Sequence, residues 1–399
     1  MSEAVIVATG RTPIGRANKG SLVECRPDDL SALVIKAVLD KVPAVAGSIE
    51  DVIWGCGQPA GEAGTNVARV AALLAGLDAP GVTVNRYCSS SLQTIRMAAH
   101  AIRSGEGDVF IAGGVETVSR FMNGMSDTGP VNPKFDDARA RTKERSEGGK
   151  PPWTPGPGLP DVYIAMGQTA ENVREQEGVS RVDMDEFALR SQQRAVASQE
   201  RGFFEREIVP VTLADGTVVS KDDGPRADTT LERLASLKPV FRPDGEVTAG
   251  NSCPLNDGAA AVVVMSDTKA KELGITPLAR IVASGVSSLN PEIMGLGPVG
   301  ACRQALKRAG MSIEQIDLVE INEAFAAQVL PSAKQLDIPL EKLNVNGGAI
   351  ALGHPFGMTG ARIMTTLLNG LDDAGKSFGL ESMCVGGGQG MAMIVERLS

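Results

Sequence analysis

Two stretches of this chain carry the same features in the same order, and that repeat limits the folds open to it. "SIEDVIWG" begins at Ser48 and "SIEQIDLVEINEAF" at Ser312; a helical pattern precedes each ("LSALVIKAVLDKV" and "ACRQALKRAG"), and each turns into a strand. Farther on, "VTVN" ends at Asn85 and "LNVN" at Asn346, each leading into a Gly- or Ser-rich turn and then a helix. The interval from Ser48 to Asn85 nearly equals that from Ser312 to Asn346. An apolar strand ending in glycines closes each series, "DVFIAGG" near Gly113 and "ESMCVGGG" near Gly386. Strand alternating with helix in both halves is the pattern of α/β layers joined by right-handed crossovers. The expected fold is therefore a duplicated α/β architecture.

The length of 399 residues, with 43% hydrophobic and 22% charged, allows a substantial core in two or three domains or in one two-part fold. Between the repeats, "NGMSDTGPVNPKFDDARARTKERSEGGKPPWTPGPGLPD" is rich in Gly, Pro and mixed charge and reads as loop. After it, "VDMDEFALRSQQRAVASQERG" reads as an amphipathic helix with Phe187, Leu189 and Val196 among its apolar positions. This sets the expected organisation: residues 1–119 with 248–268 form one half, 120–247 an inserted loop domain, and 269–399 the other half. Loops held over a rigid scaffold often carry ligand contacts.

A net charge of -9 argues against a broad nucleic-acid surface, which draws on clustered Lys and Arg. Six scattered cysteines with no C-x-x-C pair and two histidines make a zinc site or a disulfide framework unexpected, so no metal is assigned. No apolar run is long enough to span a bilayer. The start "MSEAVIVATGRT" lacks a basic leader and "VERLS" is not a peroxisomal address, so a cytoplasmic location is expected.

Cys88 stands where the run "TVNRYCSSSLQTIRMAAHAIRSG" changes from an extended to a helical pattern, with Leu92, Ile95, Ala99 and Ile102 at three- and four-residue steps. Ser89 to Ser91 are expected to supply hydrogen-bonding groups at the helix start. A thiol at the positive end of a helix is favoured as thiolate, and a strand-to-helix turn lifts it out of the sheet. A lone cysteine is ordinarily a small core residue, so this reading needs a base. His100 falls three turns into the same helix. His354 lies in "NGGAIALGHPFGMTGAR", whose five glycines imply close backbone approach without matching the dinucleotide fingerprint. By the repeat, that loop is the counterpart of the Cys88 loop, and Cys384 ends the last glycine-rich strand. Two thiols and one imidazole on one face suit carbon–carbon bond chemistry.

Four blocks together carry a resemblance over almost the whole chain: "CSSSLQ" at Cys88, "NEAFA" at Asn322, "GGAIALGHPFGMTGAR" around His354 and "CVGGGQG" at Cys384. The chain resembles the thiolases, with "MGQTAENV" and "TAGNSCPLNDGAAA" as shorter matches. The resemblance implies two βαβαβαββ halves in a five-layer αβαβα core, with the inserted loop domain holding coenzyme A. It implies an acyltransferase that binds no cofactor permanently and uses coenzyme A as substrate. His354 would take the proton of Cys88, whose thiolate attacks a 3-ketoacyl-CoA, and Cys384 would act as general acid or base. His354 and an Asn322-held water would stabilise the enolate oxygen, and the N–H groups of Cys88 and Gly386 the other oxyanion. Glu323 is expected to act structurally. Arg226 would contact the nucleotide, and Met166, Phe241, Ala249, Gly250, Ala324 and Phe325 the pantetheine arm.

Two departures stand out. Ser91 occupies the glycine of the usual "CSSG" block, and Cys253 stands where a serine is common, which puts one pantetheine hydrogen bond in question. Short-chain biosynthetic members usually carry a histidine before the Met-Gly of "MG-x-TAENV"; Ala165 stands there, favouring a degradative 3-ketoacyl-CoA thiolase of fatty-acid β-oxidation over an acetoacetyl-CoA-forming acetyl-CoA acetyltransferase. A ketoacyl synthase would need a second catalytic histidine, and a lipid- or coenzyme-A-binding relative without activity would be expected to lack one of the four catalytic residues. The partners implied are coenzyme A and its acyl thioesters and a second copy of the chain, as a homodimer or a dimer of dimers.

Overall fold

The computed structural model describes residues 2–121 and 129–399. The first half runs β1 (Ala4–Arg11), a short β2 (Gly15–Arg16), α1 (Pro27–Lys41), β3 (Asp51–Cys56), α2 (Val67–Leu74), β4 (Gly81–Val84), α3 (Ser90–Ser104) and β5 (Val109–Thr117). Then come α4 (Asp136–Ser146), α5 (Met166–Glu177), α6 (Arg181–Glu200), the small hairpin β6 (Val211–Thr212) and β7 (Val218–Val219), and α7 (Leu231–Ala235). Strand β8 (Asn256–Ser266) returns to the first half, and α8 (Asp267–Glu272) leads onward. The second half follows as β9 (Ala279–Ser288), α9 (Gly297–Ala309), β10 (Leu318–Ile321), α10 (Ala326–Gln335), α11 (Ala349–Leu352), α12 (Thr359–Asp373), β11 (Phe378–Val385) and β12 (Gln389–Arg397).

The main strands form one mixed sheet in the order β10-β11-β12-β9-β1-β8-β5-β3-β4, with β2 beside β8. Its two halves mirror each other about the β9–β1 junction, which is only two register pairs long, Val5 with Arg280 and Ile6 with Ala279. Each half contributes the expected βαβαβαββ order, with one difference. The counterpart of β4 is reduced to a single parallel bridge from Leu343 to Val319, because Asn344 takes a left-handed φ of 47° and turns the chain.

Helices α3 and α12 pack together between the two halves of the sheet, while α1 and α2 cover one outer face and α9 and α10 the other, giving five layers. Strand β8 shows why its sequence is an unbroken apolar run. Val262 and Val264 enter the central core with Leu92, Ile95, Met364 and Leu367, whereas Val263 and Met265 enter an outer core with α1 and α2. A strand buried on both faces has no polar side to alternate with. Strand β12 repeats this: Met391 and Met393 face the centre, Ala392 and Ile394 the other outer core. The sandwich thereby brings the ends of β4, β5 and β11 and the loop before α12 to the central layer. Among the described residues no helix is long and apolar enough to cross a membrane.

Candidate active site

Cys88 lies in a single 3-10 turn, Tyr87–Ser89, between β4 and α3. Tyr87 holds a left-handed φ of 43°, unusual for an aromatic residue and of the kind found where a chain is bent for a purpose. The serines do not cap α3 as expected. Ser90 Oγ accepts from Arg86 N–H at 2.9 Å and donates to Tyr87 O, and Ser91 Oγ accepts from Ala361 N–H at 2.9 Å on α12. They tie the corner down and leave its thiol to other donors. The backbone N–H groups of Gly386 and of Cys88 itself favour the thiolate. Burial nonetheless outweighs them and pushes the thiol up to about 11, with Glu116 adding to the rise.

His354 is buried in the loop before α12, its N–H bound to Asn256 Oδ1 at 2.9 Å. Its Nδ1 lies 2.7 Å from Thr359 Oγ1, whose own hydrogen is committed to Pro355 O at 2.8 Å. The hydroxyl must therefore accept, so Nδ1 carries the proton and Nε2 is the free base. Among the described residues Nε2 is buried without a partner, and burial, then the charge of Arg362, hold the imidazole down to about 3. The close fit of this loop depends on glycine: a Cβ on Gly114 of β5 would lie 2.1 Å from Gly357 O.

Cys384 sits at the end of β11, fully buried, its thiol pushed well up by burial and then by the charges of Cys88 and Cys253. Cys253 thus stands as a third thiol near the two expected from the sequence, Cys88 and Cys384. Asn322, after β10, is buried with neither amide atom partnered among the described residues, while Gln328 Nε2 donates to its carbonyl at 2.7 Å. Unpaired buried polar atoms are rare and mark places where a ligand or water is to be received. Glu323 accepts from Ser191 Oγ, Asn344 Nδ2 and Ile350 N–H, which are framework bonds. His100 lies exposed within α3 and joins none of these groups.

A cavity of ≈ 580 Å³ approaches these residues through Cys253, which lines it and feels the charge of Cys88. Arg16 and Arg226 give it cationic walls, Arg233 lines it in an ion pair with Asp228, and Phe241, Ala249, Gly250, Cys253 and Ile350 line it further. Four of the seven coenzyme A contacts expected from the sequence, Arg226, Phe241, Ala249 and Gly250, line this cavity. Ala324 and Phe325 lie behind it: Cys253 N–H donates to Ala324 O, and the Phe325 ring packs edge-on to Phe241 at 6.0 Å. Met166, the first residue of α5, does not line it; its neighbour Gly167 lies against the Phe241 ring instead. Sequence reasoning passed over Arg16, Glu116 and Thr359. A buried carboxylate directly after an apolar "FIAGGV" run was the available signal for Glu116.

The family described as thiolase, N-terminal domain, matches residues 4–268, and that described as thiolase, C-terminal domain, matches residues 275–397. The beta-ketoadipyl-CoA thiolase of Acinetobacter baylyi is 46% identical over 410 residues, covering 100% of both chains. The 3-ketoacyl-CoA thiolase of Bacillus subtilis is 43% identical over 410 residues, covering 99% of this chain and 100% of the relative. The crystal structure of the Bacillus anthracis acetyl-CoA acetyltransferase superposes with a TM-score of 0.88 at 42% identity, covering 100% of this chain and 99% of that one. With both family matches and these full-length likenesses, the chain belongs to the thiolase family.

Proposed function

We propose that this protein is a degradative 3-ketoacyl-CoA thiolase of fatty-acid β-oxidation in the cytoplasm, cleaving its substrate with free coenzyme A to acetyl-CoA and a shortened acyl-CoA. The observation that carries this reading is the grouping of the buried Cys88 thiol, favoured as thiolate by the Gly386 N–H, with two thiols that feel its charge, Cys384 and Cys253, the latter lining a cavity whose cationic and apolar walls suit a nucleotide and a pantetheine arm. His354 Nε2 takes the Cys88 proton as the sulfur attacks the 3-keto carbon. The N–H groups of Cys88 and Gly386 meet the oxyanion formed there. Breaking the bond between carbons 2 and 3 leaves the acetyl-CoA enolate, which Cys384 protonates at carbon 2. Asn322, through a water, and His354, now protonated at Nε2, donate to the enolate oxygen. Free coenzyme A then displaces the acyl group from Cys88. In this scheme coenzyme A is substrate and no cofactor stays bound.

Ala165, exposed at the N-cap of α5, adds no bulk that would close a pocket there, and the preference for acyl groups longer than two carbons rests on that small side chain. Two other substrates enter through the relatives' names. Several relatives at 46–47% identity carry the name beta-ketoadipyl-CoA thiolase and the superposed protein that of acetyl-CoA acetyltransferase, so a ketoadipyl thioester and acetoacetyl-CoA are the other candidate substrates. Measuring kcat/KM for thiolysis of acetoacetyl-, 3-ketohexanoyl-, 3-ketodecanoyl- and 3-ketoadipyl-CoA decides among them. Each further buried CH₂ contributes about 0.8 kcal/mol if the pocket admits it. A rise with chain length supports the proposal; a steep fall beyond four carbons leaves acetoacetyl-CoA, and a sharp preference for the dicarboxylate leaves ketoadipyl-CoA. Mass spectrometry after substrate addition should find the acyl group on Cys88; label on Cys384 overturns the assignment.

A further inference from the structure

Glu116, next to the last residue of β5, is 1% exposed. Its Oε2 accepts Gly57 N–H at 2.8 Å and Gly357 N–H at 2.9 Å, and its Oε1 accepts Gln58 N–H at 3.2 Å and the Cys56 thiol at 3.6 Å. Gly57 and Gln58 leave β3 in the first half, whereas Gly357 follows His354 by three residues in the second. Beneath the Cys88 corner, a Cβ on Gly55 would meet Ser90 C and Ser91 N at 2.6 Å, so the end of β3 packs against the start of α3, two residues past the nucleophile. On the other side, the Phe356 ring packs edge-on to His354 at 5.2 Å, beside Gly357. Among the described residues no basic side chain forms an ion pair with Glu116. A buried carboxylate held by amides and a thiol costs more than a neutral group of the same shape.

We propose that Glu116 is a positioning residue of the thiolytic reaction, clamping the turn that carries His354 to the strand end that packs beneath the Cys88 corner. The inference rests on the roles given above to Cys88 and His354. Burial pushes the Glu116 carboxyl up to about 7, against the pull of the Gly57, Gly357 and Gln58 amides. The titratable groups facing it are Cys56 at the end of β3 and Cys88 at the corner; the His354 turn presents its Gly357 amide. Above that pH the ionised carboxylate accepts every amide; below it, one oxygen becomes a donor and the clamp slackens. Activity should therefore rise with pH through a group near 7.

Glu116→Gln keeps one oxygen for Gly57 and Gly357 but turns an NH₂ toward Gln58 N–H, and Glu116→Ala removes the acceptors altogether. Steady-state thiolysis is expected to show kcat lowered about tenfold in the first and about a hundredfold in the second, with KM for coenzyme A within about twofold of wild type. The pH limb near 7 in kcat should disappear in Glu116→Gln, a change that a purely structural role would not produce. Unchanged kcat in both variants overturns the proposal, as does a loss shared equally by coenzyme A affinity, or failure of both variants to fold. Wild-type thiolysis in the same assay separates the two ideas: without it the functional reading falls and takes the clamp with it, whereas active wild type and equally active variants remove the clamp alone.

Discussion

Cys88 and His354 stand as a neutral pair, because the same burial that raises the thiol to about 11 lowers the imidazole to about 3. At neutral pH the resting site thus holds a thiol and a free base, and charge separates only as the substrate is attacked. The thiolate fraction of a group raised this far climbs with pH up to that raised value. Alkylation of Cys88 by iodoacetamide, followed on its peptide by mass spectrometry, should accelerate steadily from about pH 7 to about pH 10. A plateau below about pH 7 would reveal a preformed thiolate–imidazolium pair and contradict this electrostatics. Removing the base by His354→Asn should lower kcat by roughly 10²- to 10⁴-fold. Cys88→Ser, which offers a poorly ionised hydroxyl, should abolish turnover while coenzyme A binding, measured by calorimetry, persists.

The elements around these residues were legible to different degrees. The repeat yielded the strand and helix order of both halves, since periods of two and 3.6 are written directly in buried runs such as β8 and α3. What escaped was polar. Helix α6 was foreseen from its apolar positions, and Phe187 is indeed buried, but much of its buried face is Asp185, Ser191 and Ser198, bonded to Asn251, Glu323 and Asn346. Hydrogen bonds between distant segments leave no period in either one. The serines after Cys88 misled for a related reason, their partners lying in part on α12 rather than in their own helix. The motifs nominate Cys88, His354, Cys384 and Asn322 as the candidate site, whereas the tautomer of His354 depends on Thr359 and leaves no mark in a motif. The close fit of β5 to the His354 turn gives a test at this scale. Gly114→Ala places a Cβ 2.1 Å from Gly357 O, so backbone must move. We expect a loss of about 1–3 kcal/mol in stability by denaturant titration and about a hundredfold in kcat. Full activity with unchanged stability would show that the turn is not held there.

Over the whole molecule, the sheet ends at β4, a four-residue strand that among the described residues pairs only with β3, and among them nothing covers its far edge. Apolar side chains are exposed alongside it: Val82 on the strand at 38%, Leu73 and Leu74 on α2, and Tyr87 at 47% just after it. Unpaired strand edges with apolar surroundings invite another chain, and a strand meeting its own copy antiparallel across a two-fold axis satisfies both edges at once. Cys88 lies four residues past the end of β4, so what pairs with this edge also steadies the nucleophile's corner. The protein is accordingly expected to form a dimer through β4, in sedimentation velocity at micromolar concentration, with pairing of dimers into tetramers as a further step. Val82→Lys, placing a charge on that edge, should shift the population to monomer and lower kcat in parallel, while the monomer remains folded by circular dichroism. A wild-type chain that sediments as a fully active monomer, or a Val82→Lys variant that dimerises as wild type does, would remove β4 as the meeting edge.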